Sequence, residues 1–473
     1  MKYSFYKKIT FYSNQILRKN INYYKASLSS LHIIRSHKNY FNITERQINK
    51  DSIIQKTIKK YFSKVINSIK NINTSEFLII SNFTNQNELK NEDRYFHHII
   101  KQLKKEKKNY NIIYRNLNNH KINQTKKDNY YILNNNPKII KDFYYFFKII
   151  IEIIKIIFSK INNQNYRNII NKNLIKLNNI SSSINNISHV EDLIEQIKIA
   201  KPKKIFLTYE GYPWERLLCK RIKDYDNKIM IFGYFFSVML KYTNTPLLKL
   251  NNNFDPDIIL TSSNFISKTF LQKKFKKKSI VNIGSIKFEV LHKNKDKNLK
   301  NSKYTKCLIL PEGFDDEVKF LINFAIKTQN KKSKIKYILR LHPTIKDKAY
   351  LNSIKNYIKK YNILLSNSSL DDDIKNCDIT FYRGSSSVIE ASYKGLIPLY
   401  IEKQNELSFD VLYKIEKYKP KIKSVRDFHK FHNIYKKNNY KYNIKNTGKI
   451  IDYCRSYYSL IDEKMISKII NNR

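Results

Sequence analysis

Short, unbroken apolar runs alternate along this chain with segments whose apolar residues recur every three or four positions. The runs at 77–80, 110–114, 204–208, 229–232, 257–260 and 280–283 read as buried strands, with 131–133 a weaker case. A second series follows at 307–310, 336–341, 363–365, 379–382 and 396–401. Helical spacing fills the intervals, at 96–103, 190–200, 214–225, 264–273, 314–329, 349–361 and 370–375. In the helix at 314–329 the stripe falls on 314, 318, 321 and 325, and Asp315, Asp316 and Glu317 occupy the first turn, where the helix dipole favours acids. Continuous apolar strands between helices predict parallel sheets covered on both faces. The expected fold class is therefore α/β, with two Rossmann-like domains facing each other across a cleft. The first spans 76–291 with a helical insertion at 137–200, whose stretch from about 162 to 190 reads as Asn-rich connectors. The second spans 306–473 and ends in helices, after a Lys/Asn-rich linker at 292–306. Residues 1–75 read as a basic helical extension, with a helix at 53–72.

Composition changes this picture little. The 473 residues carry a formal charge of +51, which alone would suggest nucleic acid or an anionic membrane. Lys, Asn, Ile and Tyr crowd the chain while Gly (7), Pro (9) and Trp (1) are scarce, as AT-rich codons would write onto any protein. The charge is also uneven: 15 Lys+Arg against 2 Asp+Glu in 1–75, but 16 against 10 in 306–401. The excess is thus smallest where the candidate chemistry lies, and nucleic acid is not the expected partner. Cys219, Cys307, Cys377 and Cys454 are far apart and form no CxxC pair, so buried free thiols in a reducing cytoplasm are expected, without a zinc site. Residues 1–17 lack the unbroken apolar core of a secretory signal. The most apolar stretch, 139–161, is interrupted by Lys141, Asp142, Lys148, Glu152 and Lys155. Five charges argue against a spanning helix and leave a buried one or one lying on a membrane surface.

All seven glycines lie beyond residue 210, five of them in or just after strands, and three clusters stand at strand ends, where open α/β sheets place ligands. The first runs from Tyr209 through Glu210, Gly211 and Pro213 to Trp214, Glu215 and Arg216. Glu210 at a strand terminus is a candidate general base, while Trp214 and Glu215 are candidates for acceptor contact or a second carboxylate. The second is Arg340, His342 and Pro343: alternation puts Arg340 and His342 on one side, and the proline turns the chain there. The third is Arg383, Gly384, Ser385, Ser386 and Ser387, a turn opening a helix. There Gly384 is expected to take positive φ, and N–H groups, hydroxyls and the dipole point at one place suited to a phosphate. Glu390, one turn in, could accept ribose hydroxyls. A weaker fourth signal is the turn of Glu312 and Gly313 after the strand at 307–310, where the Gly313 backbone can approach a donor phosphate and Glu312 is a further candidate for acceptor contact or a second carboxylate. The acids at 371–373 sit where helix caps commonly place carboxylates, and no metal site is expected.

In their order and spacing these motifs resemble GT-B glycosyltransferases. More narrowly, they resemble bacterial surface-carbohydrate biosynthesis proteins related to sialyltransferases, polysialyltransferases and capsule enzymes. Such proteins carry an acid before Gly, a His-Pro motif and a paired-Ser motif, matched here by Glu210-Gly211, His342-Pro343 and Ser385 to Ser387. The likeness covers about 76–410. It departs at Tyr209, where many sialyltransferases have a second acid. The resemblance implies Glu210 as base, His342 on the donor phosphate and the serines as phosphate binders. It also implies a nucleotide-sugar donor as substrate with no cofactor, and a glycan or glycolipid acceptor. The expected activity is sugar transfer, from a CMP-activated sialic-acid-like donor, without a metal. The setting would be cytoplasmic, with peripheral contact at the inner membrane face an option. The competing readings are transfer of a polyol-phosphate from a CDP donor, a basic nucleic-acid-binding protein, and an inactive scaffold.

Overall fold

The computed structural model describes residues 3–35, 72–83, 93–116, 130–134, 138–159, 164–242, 245–250, 253–273, 275–292, 304–329, 335–343, 345, 347–404, 406–438 and 442–471. The helix expected at 53–72 lies outside these, apart from Ile72, which is buried and not helical. The chain forms two compact units. One comprises Lys2–Ser237, Thr243–Gly284 and Ile461–Arg473, and the other comprises Val238–Tyr242 and Ser285–Leu460.

The first unit holds seven parallel strands: β1 (Phe77–Asn82), β2 (Tyr110–Asn116), β3 (Tyr130–Asn134), β4 (Lys204–Thr208), β5 (Met230–Phe235), β6 (Ile258–Thr261) and β7 (Ile280–Asn282). Their order in the sheet is β3-β2-β1-β4-β5-β6-β7. The chain winds one way from β1 and then the other way from β4, so the winding reverses between these two strands. The second unit holds β8 (Thr305–Leu310), β9 (Ile335–Leu339), β10 (Ile363–Leu365), β11 (Ile379–Tyr382), β12 (Ile397–Ile401) and a two-residue edge strand, β13 (Lys421–Ile422). Their order is β10-β9-β8-β11-β12-β13, with the reversal between β8 and β11. All pairings are parallel. The two-sheet α/β class expected from the apolar runs is what the chain forms, because strands such as Phe77 to Ile80 and Ile379 to Tyr382 are inaccessible on both faces.

Three features differ from expectation. The Asn-rich stretch is not a connector but the helices Gln164–Leu174 and Leu177–Ala200. Tyr166, Ile170 and Leu174, then Ile180, Ile184, Ile187 and Ile194, recur at helical spacing and are buried, with most asparagines between them. The final helix, Glu463–Asn471, packs into the first unit, where Ile466, Ile469 and Ile470 join the core built on Phe77, Phe96 and Phe206. Lys204 donates to the carbonyls of Ile469 (2.9 Å) and Ile470 (2.6 Å), capping that helix's open end. Finally, β13 was too short to be legible. All four cysteines are buried, and none forms a disulfide among the described residues. Among the described residues, no helix is long and apolar enough to cross a membrane.

Candidate functional site

The clusters singled out in the sequence stand at the C-terminal ends of parallel strands: those after β4, β8 and β11 flank the two reversals, the position where doubly wound sheets take ligands, and the Arg340 cluster follows β9, one strand further out.

In the first unit, β4 ends at Thr208 and the chain runs through Glu210 and Gly211 into the helix Pro213–Tyr225. Gly211 has φ +76°, and a Cβ there would stand 2.5 Å from the carbonyl oxygen of Thr245, so both conformation and space demand glycine. That neighbouring loop is held by Arg216, which is buried, pairs with Asp255 and donates to the carbonyls of Thr245 (2.8 Å) and Leu248 (2.7 Å). Tyr209 donates to the same Asp255 (2.8 Å) and is fully buried, so it braces the loop from beneath.

Glu210 is half-buried at the reversal. Glu215 is not: it is 1% exposed, and its Oε2 accepts from the backbone N–H of Glu210 (2.8 Å) and of Tyr212 (2.9 Å). Burial first, and the charge of Glu210 second, push its pKa up to about 8, against the lowering pull of those two N–H groups and Arg115. Glu215 therefore clamps the loop that carries Glu210. Trp214 is also buried, and the Arg115 guanidinium lies 3.4 Å from its ring centroid.

Arg115 and His189 are the residues that sequence reasoning missed. Arg115, next to last in β2, donates through Nε to His189 Nε2 (2.6 Å) and through Nη1 to Asn82 at the end of β1 (3.0 Å). Burial brings its pKa down to about 9, with Glu215 opposing. His189 is held well below the usual imidazole range, by burial and by Arg115, and its Nδ1 has no hydrogen-bond partner among the described residues. A signal for Arg115 existed in principle, as the first charge after an apolar strand. For His189, inside an Asn-rich helix, none did.

In the second unit, the loops after β9, β8 and β11 stand side by side. Neighbouring strands lie about 4.8 Å apart, so the ends of β9 and β11 are about 10 Å apart, within the span of one nucleotide. The loop after β9 carries half-buried His342 and exposed Pro343, and the one after β8 carries Glu312 and Gly313. After β11 come Gly384 to Ser387 and the helix Ser387–Tyr393. Ser385 is buried while Ser386 and Ser387 are half-exposed, and none of their hydroxyls makes a hydrogen bond among the described residues.

Gly384 does not adopt the positive φ expected of it. A Cβ there would lie 1.8 Å from Glu312 Oε1, the flexible end of a side chain that would have to move aside. The Glu312 carboxylate thus occupies the crevice where the winding reverses.

Neither arginine of these clusters presents its charge to that crevice. Arg383 is 1% exposed, with Nε 3.1 Å from Glu317, an ion pair to Glu406 and a hydrogen bond to the carbonyl of Ile401 (3.1 Å). It ties the strand end to the next helix and to the following loop. Burial raises Glu317 to about 7 despite this partner. Arg340 turns away to Asp373 (2.9 Å) and the Ser368 carbonyl (2.7 Å). Glu390 is paired with Lys394 (3.0 Å), which also holds Asp371 (2.6 Å). Of the three neighbouring acids, Asp371 also bonds Lys375 (3.0 Å) and Asp372 bonds Ser369. Among the described residues no group of acids, histidines or cysteines has the geometry to hold a metal ion.

No known family model matches the chain, and no curated protein matches it in sequence. Solved structures do. It is similar to UDP-N-acetylglucosamine 2-epimerase from Rickettsia bellii, at 11% identity over 84% of this chain and 95% of that one, with a TM-score of 0.44. It is similar to the lipopolysaccharide outer core galactosyltransferase WaaB in its apo form, at 12% identity over 83% and 99%, TM-score 0.46. It is also similar to UDP-GlcNAc 2-epimerase from Neisseria meningitidis bound to UDP-GlcNAc, at 10% identity over 83% and 98%, TM-score 0.47. At these values any functional reading has to rest on this chain's own residues.

Proposed function

We propose that this chain is a nucleotide-sugar-dependent glycosyltransferase of the GT-B type, acting on a cell-surface glycan or glycolipid. The observation that carries this reading is the crevice between β8 and β11, where the hydroxyls of Ser385, Ser386 and Ser387 make no hydrogen bond among the described residues and the loop of His342 follows one strand further along the sheet. Hydroxyls, backbone N–H groups and an imidazole from separate loops suit the phosphates of a nucleotide donor and the charge that develops as it leaves. Arg340 and Arg383, each already paired with acids, act as braces for these loops and leave the phosphate to His342 and the serines. Glu312, against Gly384, accepts a hydroxyl of the donor.

On the other sheet, Glu210 is the base that takes the proton of the acceptor hydroxyl, with its loop clamped by Glu215. The finer donor assignment, a CMP-activated sialic-acid-like sugar, rests on the order of the acid-Gly, His-Pro and Ser motifs. A cytoplasmic setting, with the acceptor at the inner face of a membrane, belongs to the same reading.

The test is thermal shift with CMP, CDP, UDP and GDP. Stabilisation by CMP, lost in His342→Ala and in Ser386→Ala, supports the assignment, and stabilisation by another nucleotide alone moves the donor class. Salt-sensitive binding of DNA or RNA with no nucleotide response would overturn the enzyme reading.

A further inference from the structure

The helix Ile139–Phe158 is apolar on two sides. Ile149, Ile153 and Ile156 face inward and are buried, as the core-facing side of any surface helix would be. A second stripe, Ile140, Phe143, Phe147, Ile151, Ile154 and Phe158, faces outward, and its members are between 46% and 87% exposed. The spacings of three and four residues set all six within one narrow face along the helix, which at 1.5 Å per residue runs about 30 Å. Six large apolar side chains presented in line to water are far more than the scattered exposed leucine or isoleucine of an ordinary surface.

Charge says what covers them. Lys141, Lys148 and Lys155 recur every seventh residue and so form a row along one edge of the stripe. At its far end this row runs into a cavity of about 730 Å³ lined by Lys155 together with Arg18, Lys19 and Lys25. The acid in that lining, Glu152, is buried and paired with Lys155 (2.9 Å), so the mouth of the cavity is cationic. Along the row, Lys141 pairs with Glu195 (3.4 Å) at an exposed site, where the bond is weak, and Lys148 lies over the Tyr144 ring (5.3 Å). A second copy would set the same lysine row, and the same net charge of +51, against itself. An anionic bilayer matches both halves of the pattern: acyl chains for the stripe, and phosphates for lysines able to bury their stems and keep their heads at the headgroup level.

We infer that the helix Ile139–Phe158 is a membrane-docking element that lies in the plane of an anionic bilayer, with Phe143, Phe147 and Ile151 in the acyl boundary and Lys141, Lys148 and Lys155 at the phosphates. The inference does not depend on the sugar-transfer reading, since none of these residues lies at the sheet reversals.

Flotation of the full chain with vesicles tests it, comparing phosphatidylcholine alone with phosphatidylcholine containing one-third phosphatidylglycerol. Binding is expected to the anionic vesicles and to weaken with salt. The triple variant Phe143→Ser, Phe147→Ser, Ile151→Ser should lower the partition coefficient at least about tenfold. Because these side chains are exposed, its melting temperature should match that of the parent chain. Lys141→Gln with Lys148→Gln should keep the stripe but lose most of the preference for anionic over neutral vesicles. Absence of anionic-vesicle binding, or binding that both variants leave unchanged, overturns the inference. So does a dimer in light scattering that the triple variant dissociates, which would assign the face to a second copy.

Discussion

Glu215→Gln isolates the one buried carboxyl that the proposed base leans on. Glutamine keeps an oxygen to accept the N–H groups of Glu210 and Tyr212 but cannot ionise. Burial raises the Glu215 pKa from an ordinary 4.5 to about 8, so the folded chain holds a proton there that the unfolded chain has released. Its contribution is therefore fully present below pH 4.5 and is lost as pH rises through about 8. Each tenfold difference in proton affinity is worth roughly 1.4 kcal/mol, so the stability of the parent chain should fall relative to Glu215→Gln by on the order of 3 kcal/mol between pH 5 and pH 8. Glu317, raised to about 7, slopes the same way but is present in both proteins and cancels. Trp214 is the only tryptophan and lies beside Glu215 in the first unit, so urea midpoints followed by its emission report on the right unit. A stability difference, parent minus Glu215→Gln, that stays constant or rises from pH 5 to 8 would refute the assignment of Glu215 as a buried, protonated clamp.

The other predictions concern the two reversals. Arg383→Met removes the buried guanidinium from between the half-buried acids Glu317 and Glu406, of which Glu406 keeps Lys403, and should cost up to about 3 kcal/mol in denaturation followed by circular dichroism, with much of it recovered when both acids are also changed to glutamine. Gly384→Ala sets a methyl group against the tip of Glu312, a flexible end that can swing away, so stability should change by no more than about 1 kcal/mol. Its effect on nucleotide affinity by calorimetry should match that of Glu312→Ala, and the double variant should be no weaker than either single one. Glu210→Gln should lower the transfer rate by about 10²–10⁴-fold while leaving the nucleotide-induced thermal shift intact, and equal loss of both would remove Glu210 from the role of base.

Much of the architecture was legible because burial on both faces forces a strand to be apolar throughout, as in Phe77 to Ile80 and Ile379 to Tyr382, and because helices between such strands keep their own period. Strand ends could likewise be located, and with them Glu210, His342 and the serines. The Asn-rich helices were obscured because asparagine signals a turn when its partners are unknown, and only the packing of Ile180, Ile184 and Ile187 decides otherwise. What a side chain does at a strand end was decided by partners distant in sequence. Arg383 and Arg340 looked like cations waiting for phosphate, yet Glu317, Glu406 and Asp373 already neutralise them, as no local pattern could reveal. Arg115, His189 and Trp214 come together from β2 and two different helices. The helix at 139–158 carries two apolar faces in its sequence alone, and tertiary packing determined which one is buried and which is left to the solvent side, because a period names a face but not its neighbour.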